Sequence, residues 1–437
     1  MTENPIQIDE TRNRAVLVGL SANSLSREDN ASDATLEELA DLVETAGGEC
    51  VGTILQHRDS PEARTFIGEG KVAETKELVE AMEADLVVFD NELSPSQQRV
   101  LTEDIGVQVI DRAGLILDIF AQRARTREGR LQVELAQYKY LLPRLTGMWG
   151  HLVRQTASGG KSPIGTRGPG ETQLETDRRH IRRKIAKLTE DLEEVRRIRA
   201  VQRDRREKNE VPVVAIVGYT NAGKSTLLSA LTGAAIPARN RLFDTLDTTT
   251  RTLEISDTCT VLISDTVGFI RKLPHHLVEA FKATLEELTF ADLILHVIDA
   301  SNPEWREQAE VVERLIRQLG AEATPRIDVF NKSDIYVGDI RPHGEDIVSI
   351  SALTGEGLDQ LLAKIGDRLD TGFHRLTLAL PYDKAGILDM LYQEAKVESV
   401  EYGETIQVEA VCNEKTAGQV RAYIVDGWQP PKAFWED

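Results

Sequence analysis

The run Gly218-Tyr219-Thr220-Asn221-Ala222-Gly223-Lys224-Ser225-Thr226 has the residue types and spacing to hold a polyphosphate. Backbone N–H groups must turn inward to cradle the anion, so glycine is needed at 218 and 223, where a side chain would clash or φ would be unfavourable. Lys224 brings a point charge to the β- and γ-phosphates, and Ser225 offers a hydroxyl to Mg²⁺. These groups work only if a strand delivers the loop and a helix N-terminus receives it. The apolar run from Val211 to Val217 reads as that strand, buried on both faces, and Leu227, Leu228 and Leu231 mark one face of the helix.

Four later stretches choose the nucleotide. Val261 to Ser264 reads as a strand ending in Asp265-Thr266-Val267-Gly268, where Asp265 can hold Mg²⁺ through water and the Gly268 amide can bond a γ-phosphate. Leu293 to Val297 is a further strand. Arg326 to Phe330 delivers Asn331-Lys332-Ser333-Asp334, where a carboxylate accepts from N1–H and the 2-amino group of guanine, donors that adenine lacks together. The Lys332 stem lies along the base. Asp346 to Ile350 leads to Ser351-Ala352-Leu353, whose backbone N–H groups suit the guanine O6. Each motif is short, but each falls at the C-terminal end of a strand, where α/β sheets bind ligands. The order defines a GTPase domain with GTP and GDP as its nucleotides.

The chain has 437 residues, more than one such domain needs, so further units are expected. A formal net charge of −20 excludes a wholly basic nucleic-acid coat and confines any RNA contact to local patches. Three scattered cysteines, Cys50, Cys259 and Cys412, have no metal-ligand spacing and fit a reducing cytoplasmic setting. Neither a signal peptide nor a membrane-length apolar run is present, and a monomer is expected.

From residue 1 to 111, strands alternate with helices: Ala15 to Gly19, Val51 to Leu55, Thr65 to Ile67, Leu86 to Phe89 and Val107 to Ile110 as strands, with helices at Leu36 to Ala46, Lys71 to Met82 and Ser94 to Thr102. That is an N-terminal α/β domain. Gly68-Glu69-Gly70-Lys71 lacks the four-residue spacer of a phosphate loop and reads as a helix-initiating turn. Residues 112–208 are helical and charged. Leu115 to Ala124 and Leu131 to Leu142 read as one amphipathic arm ending near Pro143, and Ile181, Ile185, Leu188, Leu192 and Val195 repeat at coiled-coil spacing. Two such helices make an antiparallel hairpin. Residues 209–368 are the GTPase domain, and 369–437 a small C-terminal α/β domain in which Trp428 and Trp435 read as packing residues. The fold class is therefore α/β: a P-loop GTPase domain with an N-terminal α/β domain, a helical coiled-coil hairpin and a small C-terminal α/β domain.

The hairpin loop, Ser158 to Gly170, is glycine-rich and basic at Lys161 and Arg167. It is either a flexible linker or a close approach to a phosphate backbone, and its position at the tip of a rigid hairpin favours the second. Its Gly160-Lys161-Ser162 triplet has Gln155 where a phosphate loop needs its first glycine. The basic stripe Arg178, Arg179, His180, Arg182, Arg183, Lys184 and Lys187 is open to two readings, a solvated face or an RNA contact.

Asp111-Arg112 through Gln132-Val133-Glu134-Leu135, the loop Gly165-Thr166-Arg167-Gly168-Pro169-Gly170-Glu171-Thr172-Gln173-Leu174-Glu175 and the GTPase motifs together resemble the HflX family of ribosome-associated translational GTPases. The resemblance covers nearly the whole chain. It implies a partner in the large ribosomal subunit and its ribosomal RNA, and dissociation of stalled or idle ribosomes in the GTP-bound state, notably under stress. A nucleotide-gated signalling switch acting on a protein effector is the alternative. Phe243-Asp244-Thr245-Leu246-Asp247 resembles the family's first switch, which carries Thr245 over as a second Mg²⁺ ligand beside Ser225. On chemistry alone Thr248 and Thr249 compete with it. After Gly268 stands Phe269, where a water-orienting glutamine is often found; an apolar ring cannot polarise water, so slow intrinsic hydrolysis completed by a partner is expected. No residue is assigned as catalytic, and His275 and His276 read as bystanders.

Overall fold

The structure, a computed structural model, describes residues 13–148, 169–207, 211–233, 242–243, 249–256, 259–266, 268–273, 286–336, 338, 342–369 and 373–427. Asp244 to Asp247, with the switch threonine Thr245, lie outside the described residues. So do Val267, His275, His276, Trp428, Trp435 and the hairpin-loop tip through Gly168.

Three sheets organise the described residues. The first contains β1 (Arg14–Ala22), β2 (Glu49–Arg58), β3 (Leu86–Phe89) and β4 (Gln108–Asp111), all parallel in the order β2-β1-β3-β4. Strand β1 is buried on both faces by its two-residue period. Ala15 and Leu17 enter one core, and Val16, Val18 and Leu20 enter another. Helices α1 (Asp33–Thr45), α2 (Glu69–Ala81) and α3 (Pro95–Ile105) cover the sheet. Ser32 with Thr35, and Ser94 with Gln97, form capping boxes that fix two of the helix starts. Gly68 is the N-cap of α2, as its turn-like sequence suggested. Thr65-Phe66-Ile67 is not a strand. Phe66 takes a φ of 66°, which breaks an extended run and leaves only a bridge to Glu62.

The expected single arm over Leu115 to Leu142 is two helices, α4 (Arg112–Arg123) and α5 (Arg127–Met148). Ala124 turns extended, with φ −62° and ψ 114°, and separates them. The apolar face of α4 is buried with β1 and α1: Ile116, Ile119 and Phe120 lie in the same core as Leu17 and Leu39. Pro143 sits inside α5 without ending it. The next residue, Arg144, is pinned by Gln98 Oε1 at 2.8 Å, Leu93 O at 3.0 Å and Asp111 Oδ2 at 3.1 Å. Those bonds hold the segment beyond the proline. The long helix α6 (Pro169–Glu207) packs on α5 through Leu135, Leu188 and Leu192, with Leu131, Tyr138 and Ile185 around them, so Ile185, Leu188 and Leu192 of the seam read from the heptads lie in the observed one.

The second sheet has the order β10-β9-β8-β5-β7-β6, from β5 (Val213–Gly218), β6 (Thr249–Ser256), β7 (Cys259–Asp265), β8 (Leu293–Asp299), β9 (Arg326–Asn331) and β10 (Ile347–Ser349). Only β6 is antiparallel. Thr249, which competed with Thr245 for the first switch, opens β6. Around this sheet lie α7 (Lys224–Thr232), α8 (Trp305–Gln318) and α9 (Leu358–Arg368). The third sheet is antiparallel, β12-β13-β11-β14, built from β11 (Phe373–Leu380), β12 (Lys396–Tyr402), β13 (Ile406–Asn413) and β14 (Ile424–Gly427), with α10 (Gly386–Glu394) and α11 (Glu414–Val420) against it. Among the described residues no helix is long and apolar enough to cross a membrane.

One buried apolar cluster ignores these sheet divisions. It joins Leu17 and Leu36 of the first layer, Phe120 of α4 and Val133 of α5 to Val217, Tyr219, Phe243 and Phe269 beside β5.

Candidate functional site

Strand β5 ends at Gly218, and α7 begins at Lys224. A Cβ on Gly218 would lie 2.3 Å from Val297 O, so only glycine lets β5 run this close to β8. Gly223 has φ +92°, and a Cβ there would lie 2.2 Å from Asn331 Nδ2. Lys224 is 6 % exposed and its ammonium donates to Gly218 O at 3.1 Å and Tyr219 O at 2.7 Å. Burial pulls its pKa down to about 8, against the opposing pull of Asp265. Ser225 Oγ donates to Asp265 Oδ2 at 2.9 Å, which sets a hydroxyl and a buried carboxylate side by side at the start of α7. That is a hard-oxygen pair suited to Mg²⁺. Thr266 Oγ1 donates to Ile216 O at 2.7 Å, locking this end of β7 to β5. Asn221 is exposed with φ 61°, and Thr226 is half-buried in the first turn of α7.

At the far end of the same loop, Asn331 ties two segments together. Its Nδ2 donates to Ala222 O at 2.9 Å, and its Oδ1 accepts from the Ala352 N–H at 2.9 Å. Lys332, with φ 63°, donates from Nζ to Asp299 Oδ2 at 2.6 Å. The other oxygen of Asp299 accepts from the Ser301 N–H and hydroxyl, so the carboxylate is fully held. Asp334 is exposed and Ser333 buried. The expectation for Ser351-Ala352-Leu353 needs narrowing, because two of its three N–H groups are engaged within the chain. Ser351 N–H donates to Glu356 O at 2.9 Å, and Ala352 N–H is the donor to Asn331. Leu353, 81 % exposed, presents the remaining amide.

The segment after Gly268 packs against the phosphate loop and the core. Phe269 is 2 % exposed and lies in the core cluster that spans the sheets, away from solvent. Its backbone pairs with the phosphate loop: Phe269 N–H donates to Gly218 O at 3.1 Å, and Thr220 N–H donates to Phe269 O at 2.7 Å. Phe243 is buried too, edge-on to Phe120 with ring centroids 4.7 Å apart.

Sequence reasoning missed a buried polar relay beneath this segment. Arg112, 2 % exposed, donates to Asp90 Oδ1 at 2.8 Å and pairs with Glu38. Glu38 accepts from the Tyr219 hydroxyl, which itself accepts from the Arg271 N–H at 2.8 Å. Lys272 pairs with Asp90, whose second partner there is the Thr35 hydroxyl at 2.8 Å. Burial alone would push the Asp90 carboxyl up; Arg112 and Lys272 outweigh it and hold the group below the usual carboxylate range. Burial and Glu38 push the Tyr219 phenol up, so its proton stays in place. Arg271 is drawn away to Glu304 at 2.8 Å and Glu307 at 3.0 Å. Asp299 had a signal, its place at the end of β8. The relay as a whole had none: Arg112 and Tyr219 stood in noted motifs, but its members are scattered through the sequence.

A parallel sheet with a glycine loop entering α7, an Asp265-to-Gly268 turn beside it and the Asn331 turn across from it define a P-loop GTPase. The comparisons with known proteins agree. Family models match residues 33–121 (GTP-binding GTPase N-terminal), 123–206 (GTP-binding GTPase Middle Region), 213–332 (50S ribosome-binding GTPase) and 341–427 (HflX C-terminal domain). The GTPase HflX of Caldanaerobacter subterraneus subsp. tengcongensis is 47 % identical over 96 % of this chain and 95 % of its own length. That of Escherichia coli K12 is 45 % identical over 83 % and 85 %. The chain belongs to the HflX family of GTPases. A GTP-binding protein of Sulfolobus solfataricus, solved with GDP, aligns with 82 % of this chain and 98 % of its own at 25 % identity and a TM-score of 0.43.

Proposed function

We propose that this GTPase binds the large ribosomal subunit and its RNA while loaded with GTP, dissociates stalled or idle ribosomes in that state, and is reset by hydrolysis. The observation that carries the proposal is the continuous burial linking the nucleotide loops to the rest of the molecule. Tyr219 of the phosphate loop and Lys272 of the following turn both end on the Arg112 cluster, at the N-terminus of α4. A rearrangement at the γ-phosphate is thereby felt at the sheet and helices that lead to the hairpin. The description of residues 213–332 as a 50S ribosome-binding GTPase supports the partner.

In this reading Gly218 to Thr226 cradle the phosphates, with Lys224 on the β- and γ-oxygens and the Gly268 amide on the γ-phosphate. Asp334 takes the guanine N1–H and 2-amino group, Lys332 lies along the base, and the turn at Ser351 to Leu353 reaches O6 through Leu353. Asn331 and Ser333 hold that frame. Ser225, with Asp265 behind it and Thr245 of the first switch, would hold Mg²⁺, which supplies charge neutralisation on the phosphate oxygens. The protein acts as a monomer in the cytoplasm. The hairpin loop touches RNA through Arg167 and the glycines around it.

Two measurements test this. GTP turnover should rise when purified large subunits are added. Ribosomes sedimented after incubation with the protein and a non-hydrolysable GTP analogue should split, and with GDP they should not. Deleting Gly165 to Gly170, or replacing Arg167 with Ala, should reduce splitting while GDP affinity stays at the parent value. Splitting at the parent level by the deletion variant overturns the role given to the loop.

A further inference from the structure

Lys332 stands at the carboxyl edge of the nucleotide sheet with the backbone tied on both sides of it. Ala300 N–H donates to Asn331 O at 3.0 Å, and Ser333 N–H donates to Ile350 O at 3.0 Å. Lys332 itself takes the left-handed conformation, φ 63° and ψ 37°, which sets the direction in which its side chain leaves β9. What stays free is the flexible four-carbon stem. Asp299 removes that freedom. It closes β8 opposite Asn331 in the parallel register, and its Oδ2 holds the Lys332 ammonium at 2.6 Å. The stem therefore runs from the end of β9 to the end of β8, across the edge where an α/β sheet receives its ligand. A fully exposed ion pair would hold the stem only weakly. Here the carboxylate is anchored first. Oδ1 accepts from the Ser301 N–H at 3.0 Å and from the Ser301 hydroxyl at 2.6 Å, and the side chains of Asp299 and Lys332 are only 13 % and 26 % exposed.

We infer that Asp299 is a positioning residue of the guanine site, fixing the Lys332 ammonium so that the stem is already laid out when the base arrives. The inference rests on the reading of Lys332 along the base given above, and names what prepares it. A lysine ordered only by the nucleotide would lose its rotamer freedom on binding and weaken binding by that amount. Asp299 takes up that loss beforehand. Its charge has a second effect. It neutralises the ammonium at the sheet edge, which leaves the methylene groups of the stem as the surface the base meets. Asp299 acts on the nucleotide through Lys332, in contrast with Asp334, whose carboxylate takes the guanine donors directly.

The test follows the release of GDP carrying a fluorescent N-methylanthraniloyl group from the full chain, in Asp299→Asn, Lys332→Met and the double variant. Asparagine keeps an acceptor for Ser301 and removes the charge that holds the ammonium. Release should quicken about tenfold in Asp299→Asn, the effect of leaving one long side chain to be ordered by the ligand. Lys332→Met should release at least as fast. The double variant should match Lys332→Met within about twofold, since the anchor then has nothing to hold. Asp299→Glu, which keeps the charge within reach of the stem, should release more slowly than Asp299→Asn; equal rates overturn the role of the charge. The rate is read from loaded molecules, so folded protein alone reports. Release at the parent rate by Asp299→Asn beside a fast Lys332→Met overturns the inference and leaves the base reading standing. A double variant whose increase is the product of the two single ones also overturns it, because Asp299 would then act without Lys332. Release at the parent rate by Lys332→Met overturns the reading of Lys332 along the base, and the inference with it.

Discussion

Lys272 reaches back across 182 positions of sequence to pair with Asp90, a buried carboxylate just after β3. Arg112 holds the other oxygen of the same carboxylate. Asp90→Asn leaves buried Lys272 without its counter-charge and Arg112 with Glu38 alone, and should cost about 3–5 kcal/mol in a urea melt. The pH dependence has a definite sign. The folded-state pKa of Asp90 lies below its ordinary 3.8, so its stabilisation is fully present above that value and is lost as pH falls through the lowered one. The stability gap between parent and variant should therefore be constant near neutrality and close in strong acid. A gap that widens on acidification would contradict the charge assignment.

Phe269→Ala should destabilise the protein by about 3–5 kcal/mol, since it empties a ring-sized volume in the core shared by the sheets. Phe269→Leu should cost under half as much. Chemical denaturation of both variants measures this. The ring orients no water, so intrinsic hydrolysis by the folded alanine variant should stay near the parent's. The buried position makes it a stability variant first, and its turnover is interpretable only on the folded fraction.

Asn331→Ala should raise the GDP dissociation constant at least tenfold by calorimetry. The amide bonds Ala222 O and Ala352 N–H together, so its loss frees both the phosphate loop and the base turn. Asp334→Asn acts differently. It should weaken guanine nucleotides and strengthen xanthosine nucleotides, because an amide donates where xanthine offers an acceptor. Unchanged GTP affinity in that variant would remove the guanine assignment.

Lys224→Ala should abolish measurable GDP binding at micromolar protein, while Ser225→Ala should mainly reduce turnover that depends on added magnesium. Titrating magnesium into the serine variant gives the check. A magnesium response equal to the parent's would exclude Ser225 as a ligand.

The parallel strands of the nucleotide sheet were legible because each is a short apolar run ending in polar residues with one chemical use, as Val211 to Val217 is before Gly218. Local signals also gave Gly68 as a helix start and the Leu188–Leu192 seam. Strand β6 was hidden because hydroxyl residues such as Thr249 and Thr250 suit an edge strand and a loop equally well. The break at Ala124 was hidden because the apolar period continues on either side of it, in one case facing the sheet core and in the other facing α6. Phe269 could be read for the chemistry it lacks, but not for where its ring goes. The core cluster it joins includes Phe120, in a helix that the sequence had placed in another unit.

The length of α6 sets a mechanical ratio. Its 39 residues extend about 58 Å, and it ends six positions before β5 opens at Val213. A rotation of about 5° at that end carries the opposite end through about 5 Å, roughly the distance between neighbouring strands. In the function proposed above, a turn of this size at the nucleotide end would be enough to seat or unseat whatever the far end of the helix touches.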